Sequence, residues 1–272
     1  GVDQEQLHAY FADRAARWPF ALSALSTHDT KRSEDVRARI HVLSELPTEW
    51  AAAVNALRPD IESAGVDFND AYLLLQTLLG AWPTEGLTDS TRESFTGRIA
   101  AYMKKALREG KERSSWTDPD AAYEQRVEAL VRHLIAGRFA EACGPLQKCA
   151  AHLGMLNSLS QTVLRLCAPG VPDTYQGTEF LDDSLVDPDN RRPVDYAARA
   201  AALDASSDIA ALLHESQISL PKQALIAACL RARRRHPGLF SAGSYTPAAA
   251  TGDKQRHLFA FGRASDGRRA VV

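Results

Sequence analysis

The spacing of apolar positions divides the chain into a short opening stretch, a long helical middle and a closing stretch of alternation. Residues 3–17 put Leu7, Tyr10 and Phe11 on one helical face. The run from Trp18 to Ser26 predicts a mostly buried strand, with the polar cluster Ser26, Thr27, His28, Asp29 and Thr30 at its C-terminal end. A helix is expected at once after it. Ser33 is a good N-cap, Glu34 and Asp35 complement the dipole of the first turn, and Val36, Ile40, Leu43 and Leu46 form the buried stripe up to Pro47.

From about 48 to 166 the pattern is nearly all helical. Trp50, Val54 and Leu57 mark a piece that Pro59 ends, and "AYLLLQTLLG" is a buried helix closed by Gly80. Phe95, Ile99, Tyr102, Met103 and Ala106 recur at helical spacing up to Gly110. Asp118–Pro119 reads as an N-cap followed by proline at the first helical position. Tyr123, Val127, Leu130, Val131 and Leu134 run to Gly137, and a last helix covers about 139–166 with a bend at Gly144–Pro145. The texture then changes. "CAPGVPDTYQGTEF" predicts an irregular loop with a brief strand near Val171, and "LDDSLVDPDNRRPVD" is loop too. Helices are expected at about 195–204 and 221–235, the second opened by Ser219 and Pro221 and ended by His236–Pro237–Gly238. "HLFAFGR" alternates, "SDG" signals a turn, and "RRAVV" is the partner strand, the start of an antiparallel β module. Both ends read as cut, so a fragment of a larger polypeptide is expected.

Composition narrows the function classes. The charged fraction of 24% and hydrophobic fraction of 45% are those of an ordinary globular protein. A net charge of -2 offers no basic field for nucleic acid or a membrane. No apolar run approaches the ~20 residues of a membrane span, and no signal peptide is visible. Cys143, Cys149, Cys167 and Cys229 fit neither zinc spacing nor a disulfide framework. They read as buried free thiols in a reducing, cytoplasmic compartment.

Four segments are dense in groups that can do chemistry. In the first, His28 and Asp29 stand with Lys31, Arg32 and Asp35 where a strand runs out into its following helix, the layout in which α/β barrels keep functional groups. An oxocarbenium-like transition state needs such anions and hydrogen-bonding groups; the pair could equally be a satisfied polar cap. In the second, Pro169, Gly170, Pro172 and Gly177 bend a loop that presents Asp173, Tyr175, Gln176 and Glu179, unless Glu179 simply pairs with an arginine. The third, "DPDNRRPVD", offers Asp187, Asp189, Asn190, Arg191 and Arg192 either to sugar hydroxyls or to an internal salt-bridge knot joining two subdomains. The fourth holds Lys104, Lys105, Arg108, Lys111, Arg113 and Trp116; Trp116 is a candidate platform for a sugar ring, and the charge run is otherwise a solvated helix face.

Together these segments carry a resemblance. "LSTHDTKRSEDVRAR", "REGKERSSWTDPDAAYE", "PGVPDTYQGTEF" and "SLVDPDNRRPVDYAAR" occur in the order found in maltooligosyltrehalose synthases of the α-amylase superfamily, glycoside hydrolase family 13. The resemblance covers essentially the whole chain and points to the C-terminal part of such an enzyme. It implies a mainly α fragment: about strands 7–8 of an α-amylase-like (β/α)8 barrel, a large helical insertion, and the start of a C-terminal antiparallel β domain. The expected boundaries are 1–47 and 167–237 for the barrel segments, 48–166 for the insertion and 238–272 for the β domain.

The implied activity converts the reducing-end α-1,4 linkage of a maltooligosaccharide into an α,α-1,1 linkage by retaining intramolecular transglycosylation, in trehalose biosynthesis. No metal or organic cofactor is expected. His28–Asp29 matches the motif of the carboxylate that stabilises the transition state, with Lys31, Arg32, Asp35, Trp116, Tyr175, Gln176, Glu179, Asp187, Asn190 and Arg191 around the substrate. No motif here matches the nucleophilic Asp or the acid/base Glu. The chain is therefore expected to need an N-terminal barrel half and to be inactive alone. A hydrolase that releases trehalose, maltooligosyltrehalose trehalohydrolase, is the expected metabolic partner. The alternative is a non-catalytic helical module that binds carbohydrate or serves assembly.

Overall fold

The computed structural model describes residues 2–205 and 220–272. Ser219, expected to open a helix, lies outside the described residues. The chain is mostly helical: α1 (Gln4–Arg17), α2 (Glu34–His41), α3 (Pro47–Ala64), α4 (Phe68–Ala81), α5 (Asp89–Gly110), α6 (Ala121–His133), α7 (Phe139–Cys167), α8 (Tyr196–Ala205), α9 (Leu220–Arg235) and α10 (Pro237–Ser241). The strands are β1 (Leu22–Ala24), β2 (Val171–Asp173), β3 (Ser244–Ala248), β4 (Ala260–Ser265) and β5 (Arg268–Val271). The chain folds as two compact units. One, the helical unit, comprises His28–Asn157 and Asp182–Pro193; the other comprises the residues up to Thr27, Ser158–Leu181 and Val194–Val272.

The helical unit is built on a continuous apolar core in which Val36, Leu57, Leu74, Leu78, Ile99 and Leu134 are fully buried. Ser33 caps α2 as expected, its hydroxyl accepting from the Val36 amide. Two glycines let neighbouring helices close on α2. A Cβ on Gly80 would lie 2.8 Å from Val36 Cγ1 and 2.9 Å from the Val36 carbonyl oxygen, and one on Gly154 would lie 2.8 Å from Arg39 Cα. Gly80 is thus inside α4 as a notch for α2, and does not close the helix as its sequence position predicts.

Two other boundaries also differ. Pro59 does not end α3, which runs to Ala64 and stops at a left-handed Gly65 with φ 62°. Pro59 is on the exposed face, where water can satisfy the carbonyl that loses its amide partner. The N-cap of α6 is Asp120, which accepts from the Tyr123 amide at 2.9 Å. Asp118 is occupied instead, its carbonyl accepting from Ser115 N at 3.1 Å and its amide donating to Ser115 Oγ at 2.9 Å.

In the other unit, β1 and β2 pair in parallel, with Leu22 opposite Val171 and Ala24 opposite Asp173. The expected long buried strand from Trp18 to Ser26 is only three residues, and Trp18, Phe20 and Leu22 are 65%, 65% and 74% exposed. Among the described residues β1 has β2 as its only strand neighbour, so its apolar side chains are left largely in water. Arg14 on α1 ties the region together, donating to the carbonyls of Pro169 (2.9 Å), Ala21 (2.8 Å) and Leu22 (3.0 Å). The closing β module is antiparallel in the order β3-β4-β5. Its β4–β5 hairpin was expected and β3 was not. Pro247 lies within β3, and proline there suits only an edge strand. Arg263 is buried and satisfied by four carbonyls: those of Ser244 (3.1 Å), Cys167 (3.0 Å), Phe240 (3.3 Å) and Gly243 (3.0 Å).

The expectation of buried thiols fits Cys143 and Cys167, but Cys149 is exposed on α7. Among the described residues no helix is long and apolar enough to cross a membrane.

Candidate functional site

The site begins with a fixed main chain at His28. Its carbonyl accepts from Asn190 Nδ2 at 2.8 Å and from the Asp187 amide at 3.4 Å. The turn holding Asp187 and Asn190 is itself clamped from α5. Arg98, with a side chain only 15% exposed, donates to Asp189 through Nε at 2.8 Å and Nη2 at 3.0 Å, and to Asp183 at 3.1 and 3.2 Å. Burial alone would lower the pKa of this guanidinium, but Asp189 and Asp183 reverse that and hold it above its ordinary value. Burial would raise Asp183, and Arg98 and Arg192 more than offset it, keeping the carboxylate below its usual range. The third segment therefore does form a salt-bridge knot, Asp189 and Arg192 joining Arg98 and Asp183, and the knot lies within the helical unit instead of joining two subdomains. The knot leaves Asp187 and Arg191 at its edge, paired at 2.9 Å.

The side chains of His28 and Asp29 are 53% and 81% exposed, with Nε2 3.2 Å from Oδ2. A row of alternating charge continues from them. Lys31 Nζ is 2.7 Å from Glu109 Oε2, and Glu109 Oε1 is 3.8 Å from Lys105 Nζ. Lys105 donates to the Asp187 carbonyl at 2.7 Å. The Glu109 hydrogen bond, with Asp29 adding to it, holds the Lys31 ammonium above its ordinary pKa. The same bond keeps the Glu109 carboxyl low. A cleft of about 380 Å³, lined by Gly97, Tyr102, Lys105, Asp187, Pro188 and Arg192 among others, adjoins this row. That volume is at the lower end for small-molecule sites.

Arg32 and Asp35 sit behind this surface. Arg32 Nη2 donates to Thr77 Oγ1 at 2.8 Å and to the Leu73 carbonyl at 3.2 Å. Asp35 is buried, and its Oδ2 accepts from the Asp182 amide at 2.8 Å. Trp116 follows α5, 58% exposed, with the Arg108 guanidinium 5.0 Å from its ring centroid. The fourth segment is not simply a solvated face, since the Arg108 and Lys105 side chains are only 18% and 25% exposed.

Tyr175, Gln176 and Glu179 belong to the other unit, in the turn after β2. The Tyr175 carbonyl accepts from Thr178 N at 3.0 Å and Oγ1 at 2.7 Å. Glu179 Oε2 is 3.2 Å from Arg199 Nε, the arginine partner that the sequence left open, and Arg199 Nη2 donates to the Gly177 carbonyl at 2.6 Å.

The structure thus joins His28, Asp29, Lys31, Asp187, Asn190 and Arg191 into one polar patch on the helical unit. Three residues that reasoning from sequence did not assign to this patch complete it. Glu109 had a usable signal in its i, i+4 spacing from Lys105. Lys105 was visible only as part of a charge run. Arg98 gave none, because an arginine on a helix is usually solvated. Among the described residues no group of three or more His, Cys, Asp or Glu side chains is arranged to hold a metal ion.

No family model matches the chain. A Mycobacterium tuberculosis protein that bears the name of a maltooligosyl trehalose synthase is 41% identical over 98% of this chain and 32% of its own length. The solved structure of maltooligosyltrehalose synthase from Arthrobacter ramosus shares 37% identity with a TM-score of 0.80, covering 97% of this chain and 34% of that one. A second solved maltooligosyl trehalose synthase shares 33% identity with a TM-score of 0.86, covering 96% of this chain and 35% of that one. The chain spans about a third of the length of the relatives it matches.

Proposed function

The chain is a relative of one part of the maltooligosyltrehalose synthases, and we propose that it supplies the transition-state-stabilising share of a (1→4)-α-D-glucan 1-α-D-glucosylmutase. The observation that carries this reading is the unbroken likeness along the whole chain, rather than over a single module.

In this reading β1 and β2, parallel neighbours, are strands of an α-amylase-like barrel, and the three-stranded module opens a C-terminal β domain. The reaction consumes no water. A nucleophilic carboxylate displaces the reducing-end glucose from the anomeric carbon beside it, while a carboxylic acid protonates the departing O4. The freed glucose turns within the site, and its anomeric hydroxyl attacks the glycosyl-enzyme. It returns its proton to the acid/base and leaves an α,α-1,1 linkage. Retaining chemistry needs the nucleophile and acid/base about 5–5.5 Å apart. No motif within residues 1–272 matches either, so both come from outside these residues and the isolated chain does not turn over.

Asp29 does the remaining electrostatic work. Its carboxylate is open to solvent and accepts from sugar hydroxyls whose hydrogen bonds strengthen as the ring flattens and positive charge develops. His28, 3.2 Å away, adds a donor. The cleft beside Asp187 receives a glucosyl unit. Asn190 acts through the His28 carbonyl, and Arg32 and Asp35 act as positioning residues for the α2 end of the site.

The test has two arms. Purified chain incubated with maltopentaose should consume no reducing ends. In an enzyme that carries the nucleophile and acid/base as well, Asp29→Asn should cut kcat by about 10²–10³ with the melting temperature nearly unchanged. A sharp fall in melting temperature with per-molecule activity intact would make Asp29 a structural cap instead.

A further inference from the structure

Trp116 is the most exposed of the large apolar side chains among the described residues of the helical unit. An indole left in water forfeits its burial energy, so something must hold it there. The loop does. Helix α5 ends on Lys111 in the left-handed conformation, φ 58°. Ser115 and Asp118 close a tight turn around Trp116, with Ser115 N donating to the Asp118 carbonyl at 3.1 Å. Ser114 Oγ donates to Glu124 at 2.6 Å and accepts from the Asp120 amide at 3.2 Å. Arg108 grips the same carboxylate at 2.7 and 2.9 Å while its guanidinium covers one face of the indole, 5.0 Å from the centroid. With one face taken, the ring presents the other outward on a preformed support.

The chemistry of that support selects the ligand. A cation already on one face makes the opposite face a poor seat for a second cation. A flat, neutral ligand with an apolar face and a polar rim fits, which describes the C–H face of a pyranose ringed by hydroxyls. The Lys104 ammonium, 55% exposed and 3.6 Å from Glu124, is at hand for the rim. The position fits as well. The row of charge running from Asp29 through Lys31 ends on Glu109 and Lys105, the same turns of α5 that carry Arg108.

We propose that Trp116 is the stacking platform for a glucosyl unit remote from the bond being rearranged, and so a determinant of chain-length preference. The proposal rests on the glucan-processing reading above. Its consequence is that long maltooligosaccharides engage Trp116 and short ones do not.

The test uses the full 272-residue chain with maltoheptaose and maltotriose as ligands. Maltoheptaose should shield an exposed indole from acrylamide quenching. Trp116→Ala should abolish that shielding and weaken maltoheptaose binding about tenfold, equivalent to ~1.4 kcal/mol, while maltotriose affinity stays the same. Trp116→Phe, which keeps a smaller ring over Arg108, should recover part of the loss. Trp18→Ala, removing another exposed indole, should leave the shielding intact. Unchanged maltoheptaose affinity in Trp116→Ala, or an equal loss for both oligosaccharides, would overturn the proposal; the ring would then be a protein-contact surface. Asp29→Asn, which tests the catalytic reading, should leave the shielding in place, so either result can stand without the other.

Discussion

Glu124→Gln is the sharpest probe of how the loop that follows α5 is held. Three donors converge on the carboxylate: Arg108 Nε at 2.7 Å, Arg108 Nη2 at 2.9 Å and Ser114 Oγ at 2.6 Å. The Glu124 side chain is only 8% exposed. The Arg108 hydrogen bonds are the leading cause that holds its pKa at about 2, against an ordinary value of 4.5, with burial opposing them. A carboxylate depressed in the folded state adds stability that is complete above the unfolded value. That stability fades as pH falls from there through about 2. At 1.36 kcal/mol per pKa unit, the gap corresponds to about 3 kcal/mol at neutral pH. A second route gives a similar figure, since removing one partner of a buried ion pair costs ~3–5 kcal/mol and the amide retains one acceptor. Urea denaturation followed by circular dichroism should therefore show Glu124→Gln about 2–3 kcal/mol less stable than wild type at pH 7. The difference should shrink by more than half at pH 3. A difference below ~0.5 kcal/mol at pH 7, the range of an ordinary surface change, would refute the reasoning, as would one that is the same at both pH values.

Two further variants and a thiol reagent read other parts of the structure. Gly154→Ala should lower stability by about 1–3 kcal/mol, because its Cβ would press on the α2 backbone at Arg39. Gly97→Ala, where an added Cβ meets nothing within 4 Å, should be neutral or stabilising by up to ~1 kcal/mol, and equal denaturation midpoints for the two would contradict the packing. With the native protein, a thiol reagent should modify exposed Cys149 first, leaving Cys143 and Cys167 protected until the chain unfolds; peptide mapping of the labelled sites decides it.

Much of the fold was legible because the helices bury wide apolar stripes and several carry capping side chains at their starts. Ser33 was read as such a cap, and Asp67 and Thr88, which reasoning from sequence did not single out, cap α4 and α5 in the same way. The failures have physical causes. Pro59 and Gly80 look like punctuation, but proline is tolerated on a wet helix face and glycine inside a helix can be a packing notch, and only tertiary neighbours distinguish these cases. The stretch from Trp18 to Ser26 has the apolar content of a buried strand, yet burial depends on what covers it. The polar patch was half legible. His28–Asp29 stands out as a dipeptide after a strand, whereas Arg98, Lys105 and Glu109 reach it from 69 to 81 residues away, a distance no local pattern reports. Asn190 was read as a hydroxyl binder, and its observed bond is to the His28 carbonyl.

The grip on α2 matters to anyone who would move the His28–Asp29 segment elsewhere. The segment from His28 to His41 looks portable, a short motif with its own cap. It is instead keyed at Val36 and Arg39 into slots on two helices far along the chain, one at Gly80 and one at Gly154. A graft that carried only the motif would arrive without its locks, and the helix would be free to slide along its axis and take Asp29 with it. Engineers should therefore treat the dipeptide and the two distant glycines as a single transplantable part, and diversified libraries should vary positions 36, 39, 80 and 154 jointly.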